Sequence, residues 1–263
     1  MLLEIEQKEN AMKDDFLEWP ADSICLNPES LDLSALSREV YRRTCRTDFH
    51  EPGFCLVNLG SALDSHTFRR IMVDLKQEMA AIHEADAGKT FHYLSLGRFD
   101  QQTSTKPHLD SGPEECFLML GYEPSEVASV FEISDYSKCA FEMELTPQEF
   151  LAKHNPMFQS GYEILRPYTT RVPCFSETDY QIVCINNSFA PFSMEKPVWQ
   201  GTLHTATVRT PDESKRRVIN STLIASVPMG AETVVSKSDE QEFVETTLVR
   251  RRDYGTLQRD DDV

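Results

Sequence analysis

From Gly88 onward the chain is divided into short apolar runs, rich in β-branched and aromatic residues and separated by turn-forming residues. Runs of this length and composition are typical of β-strands. The predicted strands are residues 91–96, 116–120, 180–185, 202–208 and 218–227. Many short strands in succession favour an antiparallel sandwich or barrel.

The residues before Gly88 favour helices that support this β-rich part. Apolar positions recur at helical spacing over residues 31–46 and 61–81, and a predicted buried strand at 54–59 lies between them. A chain of 263 residues can form one domain of this kind. We therefore expect a single α+β domain over 1–263 that is mainly β.

Within that domain the sequence predicts five segments. They are a polar lead-in (1–30), a helical and strand support (31–88), a β-core (89–228), an insertion within the core (122–175), and a C-terminal segment with a disordered end (229–263). The insertion is a candidate lid, with a short helix over 145–151 that begins with Thr146 as N-cap and Pro147 in the first turn.

Charge and hydropathy exclude two classes of partner. The chain has 26 Lys and Arg against 43 Asp and Glu, a net charge of -17, which repels nucleic acid. It has no run of 18 apolar residues for a membrane helix and no apolar stretch of a signal peptide at its start. We expect a cytoplasmic protein that acts on a small-molecule substrate, and the sequence leaves its oligomeric state open.

The cysteines favour free thiols over a disulfide framework. There are seven, an odd number, and no two of them have the spacing of a zinc knuckle. Several lie in apolar runs, as Cys55 and Cys184 do, where a thiol packs as a small hydrophobic group. We expect most of them to be buried and free, which is typical of a reducing compartment.

The most informative motif for function is His108-Leu109-Asp110. On a strand, residues two apart lie on the same face, so His108 and Asp110 would present an imidazole and a carboxylate side by side. These groups are two ligands for a divalent first-row metal ion. His204 opens a later predicted strand and would complete a facial set of three ligands with three positions left open.

Two arginines follow the second histidine at the start of the next predicted strand. Arg216 and Arg217 lie on opposite faces of it, and either guanidinium could bind a carboxylate through two hydrogen bonds. Alternation along the strand favours Arg217 only slightly, so both are candidates.

This pattern of His-x-Asp, a later histidine and then an arginine resembles the 2-oxoglutarate/Fe(II)-dependent dioxygenase superfamily over residues 90–228. The resemblance implies a double-stranded β-helix, which is a jelly-roll or cupin-like core. It implies that His108, Asp110 and His204 bind Fe(II), that Arg217 or Arg216 binds 2-oxoglutarate, and that dioxygen is the oxidant. It also implies an oxidoreductase that hydroxylates a small molecule such as an amino acid or a biosynthetic intermediate.

Other interpretations stay open at this point. A desaturase or cyclase of the same superfamily would use the same ligands, and a non-catalytic cupin-like module would bind the metal without turnover. The His108 and Asp110 side chains could instead form a hydrogen-bonded surface pair, and His204 could be a core histidine. His92, Arg98 and Trp199 are further candidates for contacts with substrate or cosubstrate.

Overall fold

Two β-sheets form the centre of the protein in the computed structural model, which describes residues 18–251. Most of the predicted polar lead-in and the predicted disordered end lie outside the described residues. Helices cover part of the larger sheet, so the mixed helix-and-sheet class predicted from the sequence is confirmed.

The larger sheet has seven strands in the order β1-β2-β7-β4-β9-β3-β10, and the smaller has three in the order β6-β5-β8. Neighbours pair antiparallel except β1 with β2 and β10 with β3. The strands are β1 (Cys25–Leu26), β2 (Phe54–Asn58), β3 (Lys89–Asp100), β4 (Cys116–Tyr122), β5 (Ser129–Ser134), β6 (Thr169–Arg171), β7 (Gln181–Asn186), β8 (Leu203–Val208), β9 (Val218–Pro228) and β10 (Arg250–Arg251).

Some helices precede the first strands along the chain, and others lie between later strands. They are α1 (Ala21–Ile24), α2 (Leu33–Thr44), α3 (Ser65–Ala87), α4 (Tyr136–Glu142), α5 (Pro147–Lys153), α6 (Gln159–Leu165) and α7 (Lys237–Glu245), with a 3-10 turn at Arg166–Tyr168. Helix α5 begins as predicted, because Thr146 accepts from the Glu149 backbone N–H and Glu149 accepts from the Thr146 N–H in return. The predicted N-terminal helices and the strand between them are also present.

Strand β4 shows how the larger sheet is buried on both faces. Phe117 and Met119 pack with side chains of α2 and α3, whereas Leu118 and Leu120 pack with side chains of the smaller sheet. Because alternate residues of a strand point to opposite faces, one strand contributes to two cores. The two sheets therefore lie face to face, and the helices cover the outer face of the larger one.

The predicted insertion at 122–175 is narrower than expected. Strands β5 and β6 lie within it and belong to the smaller sheet, where β5 pairs with β8. Residues 131 and 133 contribute buried side chains to the core between the sheets. The helical segment that interrupts the sheet spans residues 136–168.

Five of the seven cysteines are free and buried, and the other two form a disulfide. Cys25 in β1 is bonded to Cys174, 149 positions away, with 6.4 Å between their Cα atoms. A disulfide is typical of an oxidising environment, so cysteine usage does not support the reducing compartment expected from the sequence. Among residues 18–251, no helix is both long and apolar enough to cross a membrane.

Candidate metal centre

His108 and His204 are brought together by their own backbones. The two residues form an antiparallel bridge in which each backbone N–H donates to the other's carbonyl, at 3.3 Å from His108 and 3.2 Å from His204. Their imidazole centroids are 4.2 Å apart. His108 is in this isolated bridge and not in a continuous strand, so the strand geometry considered for His108 and Asp110 is present only at this one pair.

Asp110 reaches the same point. Its Oδ1 is 3.7 Å from Nε2 of His108, and one ligand atom from each of His108, Asp110 and His204 lies within 4.8 Å of the others. Two ligands on adjacent octahedral positions at about 2.1 Å from a metal are about 3 Å apart. Small rotations of these side chains therefore suffice to place all three around one ion.

The hydrogen bonds of His108 leave one ring nitrogen free for a metal. Nδ1 lies 2.7 Å from the carbonyl oxygen of Lys106, and because a carbonyl only accepts, Nδ1 carries the proton. Nε2 is then the nitrogen with a lone pair, and it is the one that faces Asp110. A histidine whose other N–H is held by a backbone carbonyl is the usual arrangement of a metal ligand.

The imidazole of His204 is buried. Burial, and to a lesser extent the neighbouring His108, holds the pKa of His204 well below its usual range, so the ring is neutral. Its Nδ1 has no hydrogen-bond partner among residues 18–251. A core histidine is normally hydrogen-bonded, so this unsatisfied ring argues against the alternative of a purely structural residue. A donor set of two imidazoles and one anionic carboxylate fits a divalent metal.

A cavity opens between the two sheets at these three residues. The volume of this cavity that the centre of a water molecule can reach is about 30 Å³. Besides the three candidate ligands, its lining residues are Phe99, Gln101, Thr105, Leu120, Tyr122, Ala206, Ile219 and Ser221. Most of these are apolar or uncharged, so the charged groups in the lining are at the candidate metal centre.

Arg217 is buried and is not in the cavity lining, but it contacts two lining residues, Gln101 and Tyr122. Its Nε donates to Oγ of Ser129 at 3.1 Å, and its Nη1 donates to the carbonyl of Gln101 at 3.1 Å. The guanidinium carbon lies 5.1 Å from the centre of the Tyr122 ring. Its Nη2 is buried and has no hydrogen-bond partner among the described residues. Arg216, by contrast, is exposed.

The three further candidates do not line this cavity. Arg98 forms an ion pair with Glu123, with 3.1 Å between Nη2 and Oε2, so its guanidinium already has an acidic partner within the fold. Trp199 is 4% exposed and packs among aromatic rings in the core between the larger sheet and the helices. His92 has a buried Nδ1 without a partner among residues 18–251, but it is outside the group of three candidate ligands.

Sequence reasoning missed the residue that contacts Asp110 directly. The side-chain amide of Asn187 hydrogen-bonds with both the backbone N–H and the carbonyl of Asp110. The two residues are 77 positions apart, and an asparagine after a predicted strand is more often part of a turn. Nothing local in the sequence points to this contact.

Comparisons with known proteins give little further information. No protein-family model and no curated protein matches the chain. Among solved structures, a variant of the iron and alpha-ketoglutarate-dependent endoperoxidase NvfI is similar over 67% of this chain and 79% of that chain, with 13% identity and a TM-score of 0.33. Similarity at that level is too low to show a shared family or function.

Proposed function

We propose that this protein is an Fe(II)- and 2-oxoglutarate-dependent oxygenase that hydroxylates a small molecule. The observation that carries the proposal is the meeting of His108, Asp110 and His204 at one end of a cavity between two sheets. The same two-sheet arrangement is consistent with a double-stranded β-helix, which we infer as the fold.

The donor set favours a catalytic metal over a structural one. His108, Asp110 and His204 would hold the metal with two imidazoles and one carboxylate, a donor set that in non-haem Fe(II) oxygenases leaves room for exogenous ligands. Structural zinc sites are usually closed by a fourth protein ligand, and no fourth His, Cys, Asp or Glu joins this group among residues 18–251. When bound, Fe(II) would supply the activation of dioxygen, coupled to the oxidative decarboxylation of 2-oxoglutarate.

Arg217 supports 2-oxoglutarate as the cosubstrate. Its Nε and Nη1 are fixed by Ser129 and the Gln101 carbonyl, so the guanidinium is held in place before any ligand binds. We infer that the remaining Nη2, which is buried and has no hydrogen-bond partner among the described residues, binds the distal carboxylate of a dicarboxylic acid that enters the cavity, where a charge-assisted hydrogen bond is strong. This geometry favours Arg217 over the exposed Arg216.

Asp110 supports hydroxylation over halogenation. A halogenating relative would need a small residue here to leave space for halide, and the carboxylate of Asp110 occupies that space. The residues of the chain otherwise position the substrate and exclude water from the cavity. An amino acid or a small biosynthetic intermediate is the substrate class that we propose, with desaturation or ring formation as alternative outcomes at the same site.

The rival candidate is a cupin-like module that binds metal without turnover. The two functions differ in a direct assay of the purified protein with Fe(II), 2-oxoglutarate and dioxygen. An oxygenase forms succinate slowly even without its substrate, and His108→Ala removes this activity while His66→Ala, at an exposed helical position, retains it. Metal uptake without any succinate, with a panel of amino acids included, supports the module instead.

A further inference from the structure

The candidate ligands are held in place by two different sets of hydrogen bonds. His108 and His204 are fixed by the backbone bridge that they form with each other. Asp110 lies two residues beyond this bridge, where the chain is no longer paired with β8. Its backbone N–H donates to Oδ1 of Asn187 at 2.9 Å, and its carbonyl accepts from Nδ2 of Asn187 at 2.8 Å. The Asn187 amide therefore hydrogen-bonds with the backbone N–H and carbonyl of Asp110, as the backbone of His204 in β8 does with those of His108.

The orientation of the Asn187 amide follows from its partners. The Asp110 N–H only donates and the Asp110 carbonyl only accepts, so exchanging Oδ1 and Nδ2 would break both bonds. The second hydrogen of Nδ2 points to Sγ of Cys116, 3.4 Å away. All the donors of the amide thus have partners, and it has a single arrangement.

Asn187 is itself fixed to the larger sheet. It is 1% exposed, and its backbone N–H donates to the carbonyl of Cys116 at 3.0 Å. Cys116 is the first residue of β4 and Asn187 follows the last residue of β7, so the amide projects from the paired ends of two central strands. Movement at this end of the sheet would be transmitted to Asp110 directly.

We propose that Asn187 is a positioning residue that sets the carboxylate of Asp110 for metal binding. The proposal rests on the proposed function, because it takes His108, Asp110 and His204 as the metal ligands. Removal of the amide leaves the two imidazoles paired through their backbones but leaves the Asp110 backbone without its partner. Metal affinity then falls because one of the three ligands must be ordered by the ion itself.

A purely structural asparagine would behave differently. Its loss would lower the stability of the protein, but a folded variant would still bind metal as tightly as the wild type. Asn220 is the control, because it is also fully buried and its Nδ2 donates to Oε1 of Glu123 at 3.0 Å and to the backbone carbonyl of Gly121 at 3.3 Å, and to none of the candidate ligands. Asn220→Ala therefore loses stability in the larger sheet without affecting the three ligands.

The test is titration of the full chain with Mn²⁺, followed by electron paramagnetic resonance of free and bound ion, at a temperature where circular dichroism shows each variant folded. We expect Asn187→Ala to bind Mn²⁺ about 10- to 100-fold more weakly than the wild type, as loss of a group that supports a metal ligand typically does. We expect Asn220→Ala to bind within twofold of the wild type. Asn187→Gln keeps the amide on a longer stem and should fall between wild type and Asn187→Ala.

The outcomes separate this inference from the function on which it rests. If Asp110→Ala weakens Mn²⁺ binding but Asn187→Ala does not, the proposed metal centre stands and the role of Asn187 is wrong. If Asn187→Ala does not fold, Asn187→Ser decides, because a hydroxyl cannot bond both the N–H and the carbonyl of Asp110 as the amide does, and an affinity within twofold of the wild type overturns the role. If the wild type takes up no Mn²⁺, or Asp110→Ala binds it as well, both the metal centre and this inference fail.

Discussion

Replacement of Gly201 by alanine should destabilise the protein through a backbone collision near the metal centre. A Cβ atom at Gly201 would lie 1.9 Å from the carbonyl oxygen of Ser188 and 2.8 Å from its carbonyl carbon. Gly201 is not among the glycines with positive φ, so the expected cost comes from this contact and not from backbone conformation. Because the obstacle is backbone, no side-chain rotation can relieve it.

The size of this destabilisation follows from the hydrogen bonds around the contact between Gly201 and the Ser188 backbone. An ordinary contact between carbon and oxygen is more than about 3 Å, so the two segments would have to separate by more than about 1 Å. The Thr202 N–H donates to the Asn186 carbonyl, and the Tyr136 hydroxyl donates to the Ser188 carbonyl, each at 2.8 Å. A shift of that size would lengthen both distances beyond the range of a hydrogen bond. Two unmade buried hydrogen bonds cost on the order of 4 kcal/mol in total.

Urea unfolding followed by circular dichroism measures this loss. Gly60→Ala is the control, because φ is 71° at Gly60 but no atom lies within 4 Å of the added Cβ. Backbone strain alone should cost that variant about 1–2 kcal/mol. The reasoning is refuted if Gly201→Ala is no less stable than Gly60→Ala. The two backbone segments would then separate without loss of their hydrogen bonds.

Three further changes give specific expectations. Arg217→Ala should weaken 2-oxoglutarate binding by about 30-fold or more, through loss of a buried charge-assisted contact, while Mn²⁺ affinity and the exposed control Arg216→Ala stay near wild type. Burial lowers the pKa of His83 from 6.5 to about 4, so the unfolded chain takes up its proton first as pH falls. Stability should therefore drop by up to about 3 kcal/mol between pH 7.5 and 4, and less in His83→Gln, in urea unfolding at each pH. Replacing Cys25 and Cys174 together by serine should lower the free energy of unfolding by roughly 2–4 kcal/mol, because the disulfide closes a long loop.

Each of these expectations has a contrary result. Equal 2-oxoglutarate affinity in Arg217→Ala would remove the arginine from the cosubstrate site. A His83→Gln protein whose stability falls with pH as steeply as the wild type would show that other groups cause the loss. A double serine variant as stable as the wild type would mean that the bond between Cys25 and Cys174 does not restrain the unfolded chain.

The sequence predicted the elements whose patterns are local. Strand β4 is a continuous apolar run, and α5 carries its own N-cap and proline at residues 146 and 147, so both could be found from neighbours alone. Strand β5 was missed although Val130, Phe131 and Ile133 are residue types that favour strands, because prolines and helices nearby suggested an insertion. These residue types were a usable signal.

The sequence predicted the three candidate ligands but not the contacts that hold them in place. His108, Asp110 and His204 are chemically distinctive, and their types and order along the chain suggested that they meet. The contact of Asn187 with Asp110 joins residues 77 positions apart, and the disulfide of Cys25 with Cys174 joins residues 149 apart. Such contacts depend on how the strands are ordered in the sheets, which no local pattern shows.

The central claim is that one chain binds Fe(II) and 2-oxoglutarate together in the cavity between the two sheets. The most direct measurement is anaerobic titration of the Fe(II)-loaded protein with 2-oxoglutarate, followed by visible absorption. We predict a weak, broad charge-transfer band that saturates at one 2-oxoglutarate per chain and is lost in His204→Ala. If Fe(II) is bound but no band forms at any concentration of 2-oxoglutarate, the proposed function is wrong.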